Sequence, residues 1–169
     1  QTSAPDKFET GTLNHEGLAG TVAAIEYLAS IGESYGHHLQ ETFSQFHGRR
    51  RDLKLAMQAI QIYERQLSQH LVAGLKTIPG LKIYGITDEK EFIHRTPTFA
   101  IRLPHLSPKE VARRLGAQGI FVWDGNFYAL EVTTRLGVED LGGVVRIGLV
   151  HYNTMVEIDR LIGALHEMT

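Results

Sequence analysis

Three short stretches of the chain carry residue types suited to chemistry. The first, Phe8-Glu9-Thr10-Gly11-Thr12, lies just ahead of a segment that turns helical near His15. Small residues before a helix leave backbone N–H groups free, and the helix dipole favours an anion there. The Thr12 hydroxyl adds a donor suited to phosphate. A plain helix cap at Gly11-Thr12 is the competing reading. The second stretch is Arg146 in Val144-Val145-Arg146-Ile147-Gly148-Leu149-Val150. A guanidinium inside an apolar strand is costly to bury unless something negative meets it. Its planar fork suits a carboxylate held bidentately. An internal salt bridge to an Asp or Glu, or a strand-end Arg reaching solvent, would explain it equally well. The third is Trp123-Asp124-Gly125-Asn126-Phe127-Tyr128-Ala129, where aromatic and polar residues surround a turn. Such a turn either lines a pocket mouth or plugs the end of a sheet.

Other chemistry is closed off by residue type. The chain has no cysteine, so it offers no disulfide, thiolate zinc site, iron–sulfur ligation or cysteine nucleophile. Its nine histidines include the adjacent pair His37-His38 and a distant His47, which match no HExxH-type helix face; solvent-facing or capping roles suit them, and no metal is expected. Arg49-Arg50-Arg51 reads as the solvated entrance of a helix rather than a phosphate patch. The net charge of -2 argues against nucleic acid or an anionic membrane as a partner. No apolar run reaches the roughly 18 residues that a membrane span needs.

The elements that must position these residues follow from periodicity and punctuation. Residues 1–14 read as extended loop, broken by Pro5 and Gly11-Thr12. From His15 to Ile31, Leu18, Val22, Ile25 and Leu28 form one helical face, with Gly32 a suitable residue just past its end. Residues 33–48 show no firm period. A long helix is expected from about Arg50 to Lys76, with Leu53, Met57, Ile60, Leu67, Leu71 and Leu75 as its apolar stripe. Strands are expected over Leu81–Ile86, Thr96–Leu103, Gly119–Trp123 and Val144–Val150. Ser107-Pro108-Lys109-Glu110 predicts a capped helix start, and Thr154-Met155-Val156-Glu157 predicts a capping box opening the last helix. Asn126–Leu136 reads as a helix or turn-rich segment. With 43% apolar and 21% charged residues in 169, the chain is an ordinary globular sequence, long enough for one real core or for one core plus an attached helical segment. The fold class is α/β (α+β), a small sheet with helices packed against it.

Taken in order, these stretches resemble one family, the class V, cysteine desulfurase-like pyridoxal-phosphate (PLP) enzymes. Phe8 to Thr12 looks like the segment that presents Gly-Thr to the phosphate of the neighbouring subunit's cofactor. Val145-Arg146-Ile147-Gly148, followed by Tyr152-Asn153-Thr154 and Glu157-Ile158-Asp159, looks like the family's C-terminal signature. The resemblance covers essentially the whole chain. It implies the end of a fold-type-I large domain over residues 1–33, a linker over 34–48, and the small C-terminal domain over 49–169. It implies that Gly11 and Thr12 bind cofactor phosphate, that Arg146 binds the substrate α-carboxylate, and that Asn126 and Tyr128 line the substrate loop. The implied cofactor is PLP, the implied substrate a small amino acid such as cysteine, and the implied assembly a cytoplasmic homodimer.

Two departures from the family pattern shape the expected reaction. The lysine that holds the cofactor as a Schiff base lies upstream of the Gly-Thr segment, so it is not in this chain; Lys7 matches a position that is merely basic. The chain, opening on Gln1, is therefore expected to be a piece of a longer or processed protein and not catalytic alone. The family's persulfide-forming cysteine falls at Tyr128, and a phenol cannot take sulfur as a thiolate does. The alternatives are a class V aminotransferase or an epimerase-like enzyme on the same fold, or, from another class, a non-catalytic α/β interaction module.

Overall fold

A computed structural model describes residues 3–9 and 11–169. Thr10, within the Gly-Thr motif, lies outside the described residues, as do Gln1 and Thr2. The chain forms two compact units, Gln1–Gln61 and Ile62–Thr169, with the division falling inside one long helix.

In the first unit, residues expected to be loop include a 3-10 turn at Asp6–Phe8. Helix α1 (His15–Tyr35) begins where Asn14 Oδ1 accepts the Gly17 N–H at 2.8 Å. It does not stop at Gly32, as the sequence suggests. Gly32 is buried within it, and a Cβ there would lie 1.9 Å from the Asp52 carbonyl oxygen. The glycine therefore serves the close approach of α2 (Gly48–Leu75), not a helix end. The unpatterned segment between them holds a 3-10 helix, His37–Phe43. The expected stripes also shift. Leu18, Val22 and Ile25 of α1 are exposed, and Met57 of α2 is 49% exposed where Leu55 is 4%. Leu55 and Ala56 are the α2 residues next to Gly36 and Gly32, so contact with α1 sets the buried phase.

The second unit is a four-stranded antiparallel sheet in the order β1 (Lys82–Tyr84), β2 (Thr98–Arg102), β4 (Val144–Gly148), β3 (Trp123–Gly125). Its core side follows from the register. Phe99 pairs with Ile147 and Ile101 with Val145, and all four are buried. They join Leu67, Leu71 and Leu75 of α2, Val111 and Leu115 of α3 (Pro108–Ala117), and Ile158, Leu161 and Leu165 of α5 (Met155–His166) in one cluster. Helices thus cover one face of the sheet. Tyr63 Oη, donating to the Asn153 carbonyl at 2.8 Å, ties α2 to the turn before α5.

Both expected caps form. The Glu110 N–H donates to Ser107 Oγ at 3.2 Å. At α5 the box is reciprocal: the Glu157 N–H donates to Thr154 Oγ1 at 3.2 Å and the Thr154 N–H to Glu157 Oε2 at 2.7 Å. Removing the cap with Thr154→Ala is expected to cost about 1 kcal/mol in urea denaturation. The Glu157 carboxyl is held below its ordinary pKa, first by the Thr154 backbone N–H and then by the Thr154 hydroxyl. A depressed carboxylate stabilises the fold above its unfolded-state pKa and loses that contribution as pH falls through the folded value. Glu157→Gln should accordingly flatten the acid side of the stability profile, below the ordinary carboxylate range.

The strand expected over Gly119–Trp123 is displaced. Gly119, at φ +73°, and Ile120 donate to Gly116 and Leu115 carbonyls and close the end of α3, so pairing begins only at Trp123. The segment Asn126–Leu136 resolves into a loop and the short helix α4 (Leu130–Arg135).

Candidate functional site

The side of the sheet away from the helical core carries the residues of interest. Alternation along β4 puts Val145 and Ile147 in the core and Arg146 on the opposite, exposed face. The side chain is therefore not buried, and the desolvation cost expected from sequence is avoided. Among the described residues no carboxylate lies within ion-pair distance of Arg146, which removes the internal salt bridge as its explanation. Its neighbours are aromatic instead. Trp123, its cross-strand partner on β3, places its ring centroid 5.9 Å from the guanidinium carbon, and Phe127 places its own at 5.4 Å. The two rings meet edge to face at 6.4 Å and 86°. A guanidinium satisfied on ring faces keeps its in-plane N–H donors free for a carboxylate.

Phe127 belongs to the loop that follows β3, and the backbone there is unusual. Phe127 and Tyr128 both lie in the left-handed region, at φ 53° and 61°, which bulky residues adopt only when the surroundings impose it. Asn126 imposes it. Its Oδ1 accepts the Tyr128 N–H at 3.2 Å, its carbonyl accepts the Ala129 N–H at 2.7 Å, and its Nδ2 donates to Glu139 Oε1 at 3.0 Å. Glu139 Oε2 is in turn held by the hydroxyl of Thr133, which is 3% exposed. Both side-chain heads of Asn126 are thus engaged in building the loop. Tyr128 stands at the tip, 99% exposed, with no hydrogen-bond partner for its hydroxyl among the described residues.

Gly11 and Thr12 belong to the other compact unit. Gly11 has φ +98° with open space where a Cβ would sit, and Thr12 is exposed. The cap of α1 is Asn14, two residues beyond Thr12, so the Thr12 hydroxyl is not spent on capping. A free hydroxyl beside a glycine backbone is a donor set that fits a phosphate. Among the described residues no group of three or more His, Cys, Asp or Glu is placed to hold a metal ion, and no helix is long and apolar enough to cross a membrane.

The structure thus brings Arg146 together with Trp123 and Phe127, and sets Asn126 and Tyr128 in the adjoining loop. Sequence reasoning had not connected Trp123 and Phe127 to Arg146, because strand register is a long-range property. Glu139 and Thr133 were missed altogether; a polar pair flanking a short helix carries no recognisable spacing.

Comparison with known proteins shows the family. Residues 52–161 match the model of the aminotransferase class-V family. An uncharacterized protein of Mycobacterium tuberculosis is 32% identical over 163 residues, covering 96% of this chain and 37% of that protein. A cysteine desulfurase of Synechococcus elongatus is 30% identical over 165 residues, covering 98% of this chain and 21% of that protein. The apo structure of a cysteine desulfurase from Thermococcus onnurineus superimposes with a TM-score of 0.73 at 25% identity, covering 99% of this chain and 34% of the other. The chain therefore spans little more than a third, or less, of the proteins it matches. That family is PLP-dependent. On the family match and on sequence and structural similarity along its length, the chain belongs to the aminotransferase class-V family.

Proposed function

We propose that this chain is the C-terminal part of a PLP-dependent, cysteine desulfurase-like enzyme acting on a small amino acid, with cysteine as the substrate to test first. The observation that carries the reading is Arg146: an exposed guanidinium, free of any carboxylate among the described residues and flanked by two rings. Arg146 binds the substrate carboxylate through its in-plane N–H groups. Gly11 and Thr12 hold the cofactor phosphate by backbone N–H and hydroxyl. PLP, when bound, serves as the electron sink for bond cleavage at the amino-acid substrate. Residues 1–33 close the large domain, 34–48 link, and 49–169 form the small domain of a homodimer that shares its sites. The open Leu18–Val22–Ile25 stripe of α1 supports placing that helix against a larger body.

Tyr128 sets the limit of the analogy. It holds the loop-tip position where the family carries its persulfide-forming cysteine, and the chain has no thiol. Sulfur leaving a cysteine substrate would not pass to this segment. The same residue favours the second reading, an aminotransferase or epimerase-like reaction on the same scaffold. Incubating the full-length protein with PLP, L-cysteine and excess dithiothreitol, which supplies the two electrons that take the released sulfur to sulfide, and measuring sulfide and alanine, separates the two. Sulfide with alanine and no sulfur adduct on residues 1–169 supports a desulfurase; a keto acid or racemised cysteine supports the alternative. In Tyr128→Cys, an adduct on the new thiol is expected, detected by mass spectrometry of the peptide. An unmodified thiol in an active variant would refute the placement of the loop beside the substrate.

A further inference from the structure

We propose that Trp123 and Phe127 are positioning residues for the Arg146 guanidinium, and that Glu139, through Asn126, holds Phe127 in that role. The proposal rests on the reading of Arg146 as the carboxylate site, and adds how a long, flexible cation on an open sheet face is kept in one orientation.

Among the described residues Arg146 lacks what usually fixes a ligand-binding arginine, an acidic neighbour gripping part of the fork. Its guanidinium instead lies against two rings, at 5.9 Å for Trp123 and 5.4 Å for Phe127. An acidic neighbour would fix the guanidinium but also compete with an incoming carboxylate. Ring faces fix it without competing, because they use its π surface and leave the N–H edge open. The rings stand at 86° to one another, so together they restrict the guanidinium in two directions.

Each ring reaches this place by a different route. Trp123 is set by sheet register, directly opposite Arg146. Phe127 is four residues further on and returns to Arg146 only because the chain turns left-handed at Phe127 and Tyr128. That conformation costs energy in a bulky residue and must be held from outside. The holding contacts are the Asn126 side chain on the Tyr128 N–H and Glu139 on Asn126, with Thr133 fixing Glu139 from below. The loop therefore acts on Arg146 through Phe127, and Glu139 never needs to reach the substrate.

The test uses the full-length protein, with L-cysteine as substrate and propionate as an unreactive carboxylate probe. Trp123→Leu and Phe127→Leu should each raise KM and the propionate inhibition constant about two- to fivefold, with kcat within twofold, the scale of one exposed cation–π contact. Trp123→Phe and Phe127→Tyr keep a ring and should recover most of the loss. Glu139→Ala should mimic Phe127→Leu. A readout independent of turnover is the Arg146 Nε–H resonance, assigned by its absence in Arg146→Lys. Ring currents should displace it in the native protein, and it should move toward the free-arginine position in each Leu variant and in Glu139→Ala. If Arg146→Ala weakens propionate while the Leu variants change neither KM nor the resonance, the rings are bystanders and the inference fails alone. If Arg146→Ala leaves propionate binding unchanged, the carboxylate reading itself fails, and a resonance unmoved in the Leu variants would then also refute the bracketing.

Discussion

Replacing Arg146 by alanine in the full-length enzyme is expected to lower kcat/KM for L-cysteine about thirty- to a thousandfold, or about 2–4 kcal/mol of lost binding to the transition state. On the proposed reading, what is removed is a bidentate, charge-assisted pair with the substrate carboxylate in a partly desolvated site. Arg146→Lys keeps the charge but not the fork, so it should recover only part of the loss. Neither change should lower the melting temperature appreciably. Arg146 is exposed on the sheet face away from the core, and among the described residues no acidic partner is left unpaired when it goes. Steady-state kinetics beside thermal melts checks both halves. Unfolding of the alanine variant, or a kcat/KM within a factor of three of the parent, would make Arg146 structural.

The largest effect on stability should come from one methyl group. Gly32→Ala puts a Cβ 1.9 Å from the Asp52 carbonyl oxygen, 2.7 Å from its carbon and 3.0 Å from the Ala56 nitrogen. All three obstacles are backbone atoms of α2, so no rotamer change relieves them. Helices α1 and α2 must separate, which loosens the packing of buried Leu55 and Ala56. A loss of at least about 3 kcal/mol is expected, the upper end of overpacking effects. Gly20 is the control, since a Cβ there meets nothing within 4 Å on the same helix. Gly20→Ala should stabilise by about 0.5–1 kcal/mol through helix propensity alone. Urea denaturation of the pair gives opposite signs if contact with α2 governs, and the same sign if propensity does.

Gly32 also shows where sequence reading stops. Near the end of a helical run, a glycine reads as a terminator, because its local preference is all that a single chain displays. Its actual role is set by a residue twenty positions away. The capped starts at Ser107 and Thr154 were legible for the opposite reason: donor, acceptor and turn lie within four residues. Strand β4 was legible from its apolar content, but the face Arg146 takes was not, since that depends on which side the helices cover. Gly119–Val122 read as strand from composition; Gly119 and Ile120 instead satisfy carbonyls at the end of α3, a demand invisible without knowing where that helix ends. The Arg146 site was half legible. Its cation stood out in an apolar run, while its aromatic flanks come from an antiparallel register and from a loop held by Glu139.

The outermost strands of the sheet, β1 and β3, are each three residues long. Glycines in left-handed conformation, Gly85 just past β1 and Gly125 at the end of β3, cut the pairing short. An unpaired border of strand is the usual template on which a second chain adds its own backbone and begins to aggregate. Here each border offers too few amides to seat an incoming strand, and exposed Lys82 adds a charge on one of them. The sheet is thus self-limiting. Association by lengthening the sheet at β1 or β3 is thereby disfavoured.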